Sequence, residues 1–244
     1  MPRVAVTGGE LEFAEYGHGP EVVISAQWAF REGGYQALLG LTLPERFRVF
    51  AVTLRGYGNS MPETPNLGDD WYDTWADDVY QCSRAWGFDR FLYTGASHGA
   101  GVGWHLALRH PEMMRGLVSV AGAPKDRTSL RSPEELARAI AERQRQPTPL
   151  RPDWPQRSLP RAATNEELAA LLETIHVPTL LVAGVQDEVI SLEDTLRALR
   201  AVKASRAVLF EDGKHSIGSE HAMDIVRQIV AFADALAQLP KSTL

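Results

Sequence analysis

The sequence predicts an α/β fold built on a mostly parallel, doubly wound sheet, and two observations carry the prediction. Six short runs rich in Val, Leu and Phe, mostly without polar alternation, read as strands buried on both faces. Stretches of helical periodicity separate most of these runs, and a strand-helix alternation places helices on both faces of a parallel sheet.

In chain order, "EVVIS" (21–25) and "FRVFAVTL" (47–54) are the first two strands, followed by a helix from Trp71 to Trp86 that closes at Gly87. The strand "RFLYTGA" (90–96) leads into a helix from Ala100 to Arg109, ended by Pro111. Three further strands follow: "MRGLVSVAGA" (114–123), "PTLLVAG" (178–184) and "RAVLFED" (206–212), with a helix at Leu192 to Val202 before the last. An amphipathic helix from Glu220 to Gln238 ends the pattern. One segment breaks the rhythm. A helix at Pro133 to Arg145, capped by Ser132, runs into "QPTPLRPDWPQRSLPR", whose five prolines forbid a long helix. The expected organisation is a single domain, with residues 1–124 and 163–244 as the core and 125–162 inserted as a short proline-rich lid.

Composition narrows the function classes. With 44% hydrophobic and 23% charged residues, the chain matches a globular protein and neither a disordered nor a fibrous one. A net charge of -6 offers no overall attraction to nucleic acid or anionic lipid, so neither is an expected partner. The charge is uneven: residues 125–162 hold nine Lys or Arg against five Asp or Glu, leaving the remainder at 16 minus 26, or -10. A lone Cys82 cannot form an internal disulfide, the N-terminus lacks an apolar signal-peptide core, and no 18 apolar residues run together. A soluble, cytoplasmic protein is expected, of undetermined oligomeric state.

The chemistry centres on "GASHG", Gly95 to Gly99, which fits Gly-x-Ser-x-Gly between a strand and a helix. In that setting Ser97 sits on a sharp turn where side chains at the flanking positions would collide with neighbouring backbone, and the helix start favours a developing oxyanion. The competing reading is a glycine-rich turn in which Ser97 merely caps the helix. A serine nucleophile needs a base and an orienting acid. Asp187, in "VQDEV", and His215, in "GKHSIG", both follow strands and so lie at the carboxyl edge of the sheet where Ser97 emerges. Asp126 and Glu188 are alternative acids. His18, His105, His110, His176 and His221 lie in turns or helices and are assigned structural roles.

These residues, in the order Ser, Asp, His, make the chain resemble the α/β-hydrolase superfamily over nearly its whole length. "LRGYGNS" resembles the family's tight turn after the fourth strand, with Thr53 where Asp is common, and "LALRHPEMMRGLVSV" resembles its helix-Pro-strand passage. The resemblance implies an acyl-enzyme on Ser97, no metal or organic cofactor, and an oxyanion hole made by the backbone N–H groups of His98 and Gln27. Where the family usually has His-Gly after the first parallel strand, this chain has Ser25-Ala26. The predicted substrate is a small carboxylic ester or lactone. Trp28, beside the oxyanion loop, and Trp154, in the lid, are the candidate substrate contacts; Phe30, Trp71, Trp75 and Trp104 are equally well explained as core. The lid's arginines suit an anionic substrate or a solvated surface. The same fold hosts carbon-carbon bond hydrolases, cofactor-independent dioxygenases and non-catalytic ligand-binding homologues, and these readings remain open.

Overall fold

The computed structural model describes residues 1–29, 33–124, 134, 137–138, 141, 153, 159 and 161–239. Eight strands form one sheet: β1 Arg3–Val6, β2 Gly9–Tyr16, β3 Glu21–Gln27, β4 Phe47–Thr53, β5 Phe91–Ala96, β6 Met114–Val120, β7 Thr179–Gly184 and β8 Ser205–Phe210. Their spatial order is β1-β2-β4-β3-β5-β6-β7-β8. The pairs β1–β2 and β2–β4 are antiparallel, and every pair from β4 to β8 is parallel. The six runs read as strands are β3 to β8.

Among the described residues the helices are α1 Tyr35–Thr42, α2 Trp71–Ala85, α3 His98–Arg109, α4 Asn165–Glu173, α5 Leu192–Ala201, α6 Ile217–Glu220 and α7 Ala222–Ala237. Two corrections to the sequence reading emerge. The helix expected from Ala100 begins at His98, directly after the serine, and the terminal helix is divided at His221, whose φ of -112° and ψ of 30° are not helical. The helix predicted at Pro133 to Arg145 and the proline-rich stretch after it lie largely outside the described residues.

Both faces of the sheet are covered, as unbroken apolar strands require. On one face Trp71 and Trp75 of α2 and Trp104 of α3 join Phe91 of β5 in the core; on the other, Tyr35 and Leu39 of α1 meet Ile225, Ile229 and Phe232 of α7. Trp71, Trp75 and Trp104 are fully enclosed core residues. Burying a large apolar side chain contributes roughly 1.5–3 kcal/mol, and two of the indole N–H groups have carbonyl partners: Trp75 Nε1 donates to Arg55 O at 3.1 Å and Trp104 Nε1 to Gly122 O at 2.9 Å.

Polar contacts fix α2 against α3 and so orient the helix that follows Ser97. Asp73 bonds His105 Nδ1 at 2.6 Å and also accepts from Arg161 at 2.6 Å, while Asp77 accepts from Arg109 and bonds His110 Nε2 at 2.8 Å. Among the described residues no helix is long and apolar enough to cross a membrane.

Candidate active site

Ser97 occupies the single residue between β5 and α3, with φ 51° and ψ -109°. A non-glycine residue in this region carries strain of about 1–3 kcal/mol, which persists only where the surroundings enforce it. Here they do. A Cβ on Gly95 would lie 2.2 Å from the main-chain carbon of Gly99, and one on Gly99 would lie 2.4 Å from Ala26 O. Strand, turn and helix therefore approach more closely than any side chain permits at those two positions. Ser97 N–H donates to Val120 O at 2.9 Å and Tyr93 Oη donates to Gly99 O at 2.7 Å, pinning both sides of the turn.

The loops after β7 and β8 carry the other two polar groups. They are joined to each other: Val185 N–H donates to Phe210 O and Gln186 N–H to Gly213 O, both at 2.9 Å. Asp187 is 1% exposed at its side chain and accepts at Oδ1 from the N–H groups of Val189 and Ile190, each at 2.8 Å. His215 Nδ1 lies 3.0 Å from Asp187 Oδ2 and 3.1 Å from Oδ1, and His215 Nε2 lies 3.0 Å from Ser97 Oγ. One tautomer satisfies all three residues: Nδ1–H donates to Asp187, and Nε2 accepts from the serine hydroxyl. Burial pushes the Asp187 carboxyl up, but hydrogen bonding and charge from His215, together with the two backbone donors, outweigh it and hold the group below its usual value. Asp187 is thus ionised at neutral pH. Ser97 can pass its proton to Nε2 while a buried carboxylate stabilises the imidazolium that forms.

Ser97 and His215 open onto a cavity of about 290 Å³, whose wall also includes Gln27, Trp28, Tyr35, Gln36 and Glu188. The candidate contact Trp28 is therefore in place, whereas Trp154 and the alternative acid Asp126 lie outside the described residues. His98 opens α3, and its ring is buried against Tyr72, whose hydroxyl is 3.1 Å from Nδ1. At Gln27 the backbone reading needs correction. The strand β3 runs through Gln27 in parallel register with Thr53 of β4, and Gln27 O accepts from Leu54 N–H at 2.8 Å. In a parallel ladder the N–H and C=O of one residue face the same neighbour, so the Gln27 N–H is directed at β4 and away from Ser97. What Gln27 presents to the site is its side chain, with Cγ 3.7 Å from where a Cβ on Gly99 would stand.

Sequence reasoning missed Tyr35 and Gln36 on the cavity wall. Tyr35 Oη is 3.0 Å from Thr94 Oγ1, linking α1 to β5, the strand that leads into Ser97. No motif marked the segment, and α1 itself was not anticipated.

A family model described as alpha/beta hydrolase fold matches residues 30–146. The chain is 33% identical to a pimeloyl-[acyl-carrier protein] methyl ester esterase of Shewanella woodyi over 47% of its own length and 40% of that protein's. It is 24% identical to the serine hydrolase BPHL of Mus musculus, covering 94% of this chain and 85% of the mouse protein. Among solved structures, the enol-lactonase from Burkholderia xenovorans LB400 superposes with a TM-score of 0.71 at 20% identity, over 96% of this chain and 100% of the lactonase, a likeness of fold.

Proposed function

Because the chain belongs to the α/β-hydrolase superfamily, we propose that it is a serine hydrolase that cleaves a small carboxylic ester or lactone through an acyl-enzyme on Ser97. The observation that carries this reading is the unbroken hydrogen-bonded series from Ser97 Oγ through His215 to Asp187, opening onto a cavity.

Ser97 Oγ attacks the carbonyl carbon as its proton moves to His215 Nε2, giving a tetrahedral oxyanion. Asp187 keeps the imidazole in the tautomer that accepts the proton. The protonated Nε2 then delivers its proton to the leaving alkoxide, and water enters by the reverse sequence to release the acid. In a lactone the leaving alcohol remains tethered, and the product is a hydroxy acid. The backbone N–H of His98, at the positive start of α3, is one oxyanion donor. The second is the side-chain amide of Gln27, which replaces the backbone donor that the strand register uses elsewhere. No step requires a metal or organic cofactor.

The test is release of acid from a panel of short-chain esters and lactones, comparing the wild type with Ser97→Ala. Turnover by the wild type, reduced on the order of a million-fold in the variant, is the expected result. An alanine variant that keeps most of its activity would remove Ser97 as the nucleophile.

A further inference from the structure

Glu188 follows Asp187 in the chain and lines the same cavity as Ser97 and His215, yet its side chain is exposed and makes no hydrogen bond or ion pair with any described residue. Asp187 is committed to His215 and to two backbone donors. Apart from His215, Glu188 is the one acidic or basic side chain on the wall among the described residues; the remainder is hydroxyl, amide, aromatic and small apolar surface, including Trp28, Gln27 and Gln36. Ser216 Oγ donates to Glu220 at 2.5 Å, Asp212 lies 3.3 Å from His221, and Lys214, although adjacent to His215, is not part of the wall.

We propose that this cavity selects esters whose acyl or alcohol part carries an alkylammonium group, with Glu188 as the residue that sets the preference. The inference rests on the serine hydrolase reading of the same site. An ammonium group entering a partly enclosed cavity gives up water and gains a carboxylate that no described residue neutralises, and Trp28 on the same wall adds an aromatic surface. Both attractions act on a part of the substrate remote from the carbonyl. They are therefore equal in ground state and transition state, so they lower KM and leave kcat alone. Because Glu188 is exposed, the preference weakens as ionic strength rises. A carboxylate-bearing substrate, the alternative that the basic residues of segment 125–162 suggest, meets repulsion at this wall.

The experiment compares three acetate esters of matched length, those of choline, of 3,3-dimethylbutanol and of a carboxylate-bearing alcohol, on the wild type and on Glu188→Gln. The wild type is expected to show a KM for the choline ester roughly five-fold below that of the neutral ester, and Glu188→Gln to close that gap at constant kcat. Equal KM values, a preference for the carboxylate ester, or a choline preference that survives Glu188→Gln would each overturn the assignment. Calorimetric binding of the same three esters to Ser97→Ala separates the two claims. If the wild type hydrolyses none of them the serine hydrolase reading falls, while the binding order on Ser97→Ala still decides whether the cavity prefers the cation.

Discussion

At Ser97 the backbone is held at φ 51° by packing at Gly95 and Gly99, and the hydroxyl meets His215 Nε2 at 3.0 Å. That juxtaposition was legible in the sequence because each residue follows the carboxyl end of a strand, where side chains of distant segments converge. Gln27 was misread because strand register cannot be counted from sequence: one residue more of β3 turns the N–H toward β4. The two readings of Gln27 differ in outcome. A backbone donor survives Gln27→Ala, whereas a side-chain donor does not, and kcat on a neutral ester is expected to fall about 100- to 1000-fold. For Asp187→Asn, kcat is expected to fall about ten-thousand-fold, since an amide no longer enforces the productive tautomer. The same carboxylate has an acid signature. Its folded pKa lies below the usual unfolded value of about 3.9, so its contribution to stability is complete above that value and disappears as the pH falls through the folded pKa. Acid unfolding followed by circular dichroism should accordingly lose part of its steepness below about pH 4 in Asp187→Asn.

Among the elements, the elbow and the parallel strands β3 to β8 were readable because each is a short apolar run closed by turn residues. The antiparallel strands β1 and β2 were not, since "RVAV" is only four residues long and "GELEFAEY" mixes polar and apolar positions. The helix α1 gave no start signal, for its N-cap is Gly34 and makes no side-chain cap bond. The helix α4 did carry one: Thr164 accepts from Glu167 N–H at 3.2 Å, and Glu167 reaches back to Ala163 N–H at 2.6 Å, a Thr-x-x-Glu start that was visible in "TNEE". The elbow makes the sharpest prediction at this scale. With Ala26 O only 2.4 Å from the new Cβ, Gly99→Ala must push β3 from α3, and urea unfolding is expected to show a loss of about 1–3 kcal/mol together with reduced turnover.

Over the whole molecule, the site depends on segments far apart in sequence being locked into one frame. Arg55, after β4, bonds Asp78 of α2 at 2.8 and 2.6 Å and donates to Thr7 O in the β1–β2 turn at 2.8 Å, joining the edge hairpin, the central sheet and the helical layer. Both side chains are buried, at 10% and 3% exposure. Removing the acid strands a buried guanidinium, so Asp78→Ala is expected to cost about 3–5 kcal/mol by chemical denaturation. No single-segment motif announced this pair, because its partners come together only in the folded sheet. The central proposal is that the assembled frame activates Ser97, and incubation with a fluorophosphonate followed by intact mass measurement tests that most directly. The account predicts one adduct on the wild type, mapped to Ser97, and none on Ser97→Ala; an unmodified wild type, or an adduct that persists on the variant, would contradict it.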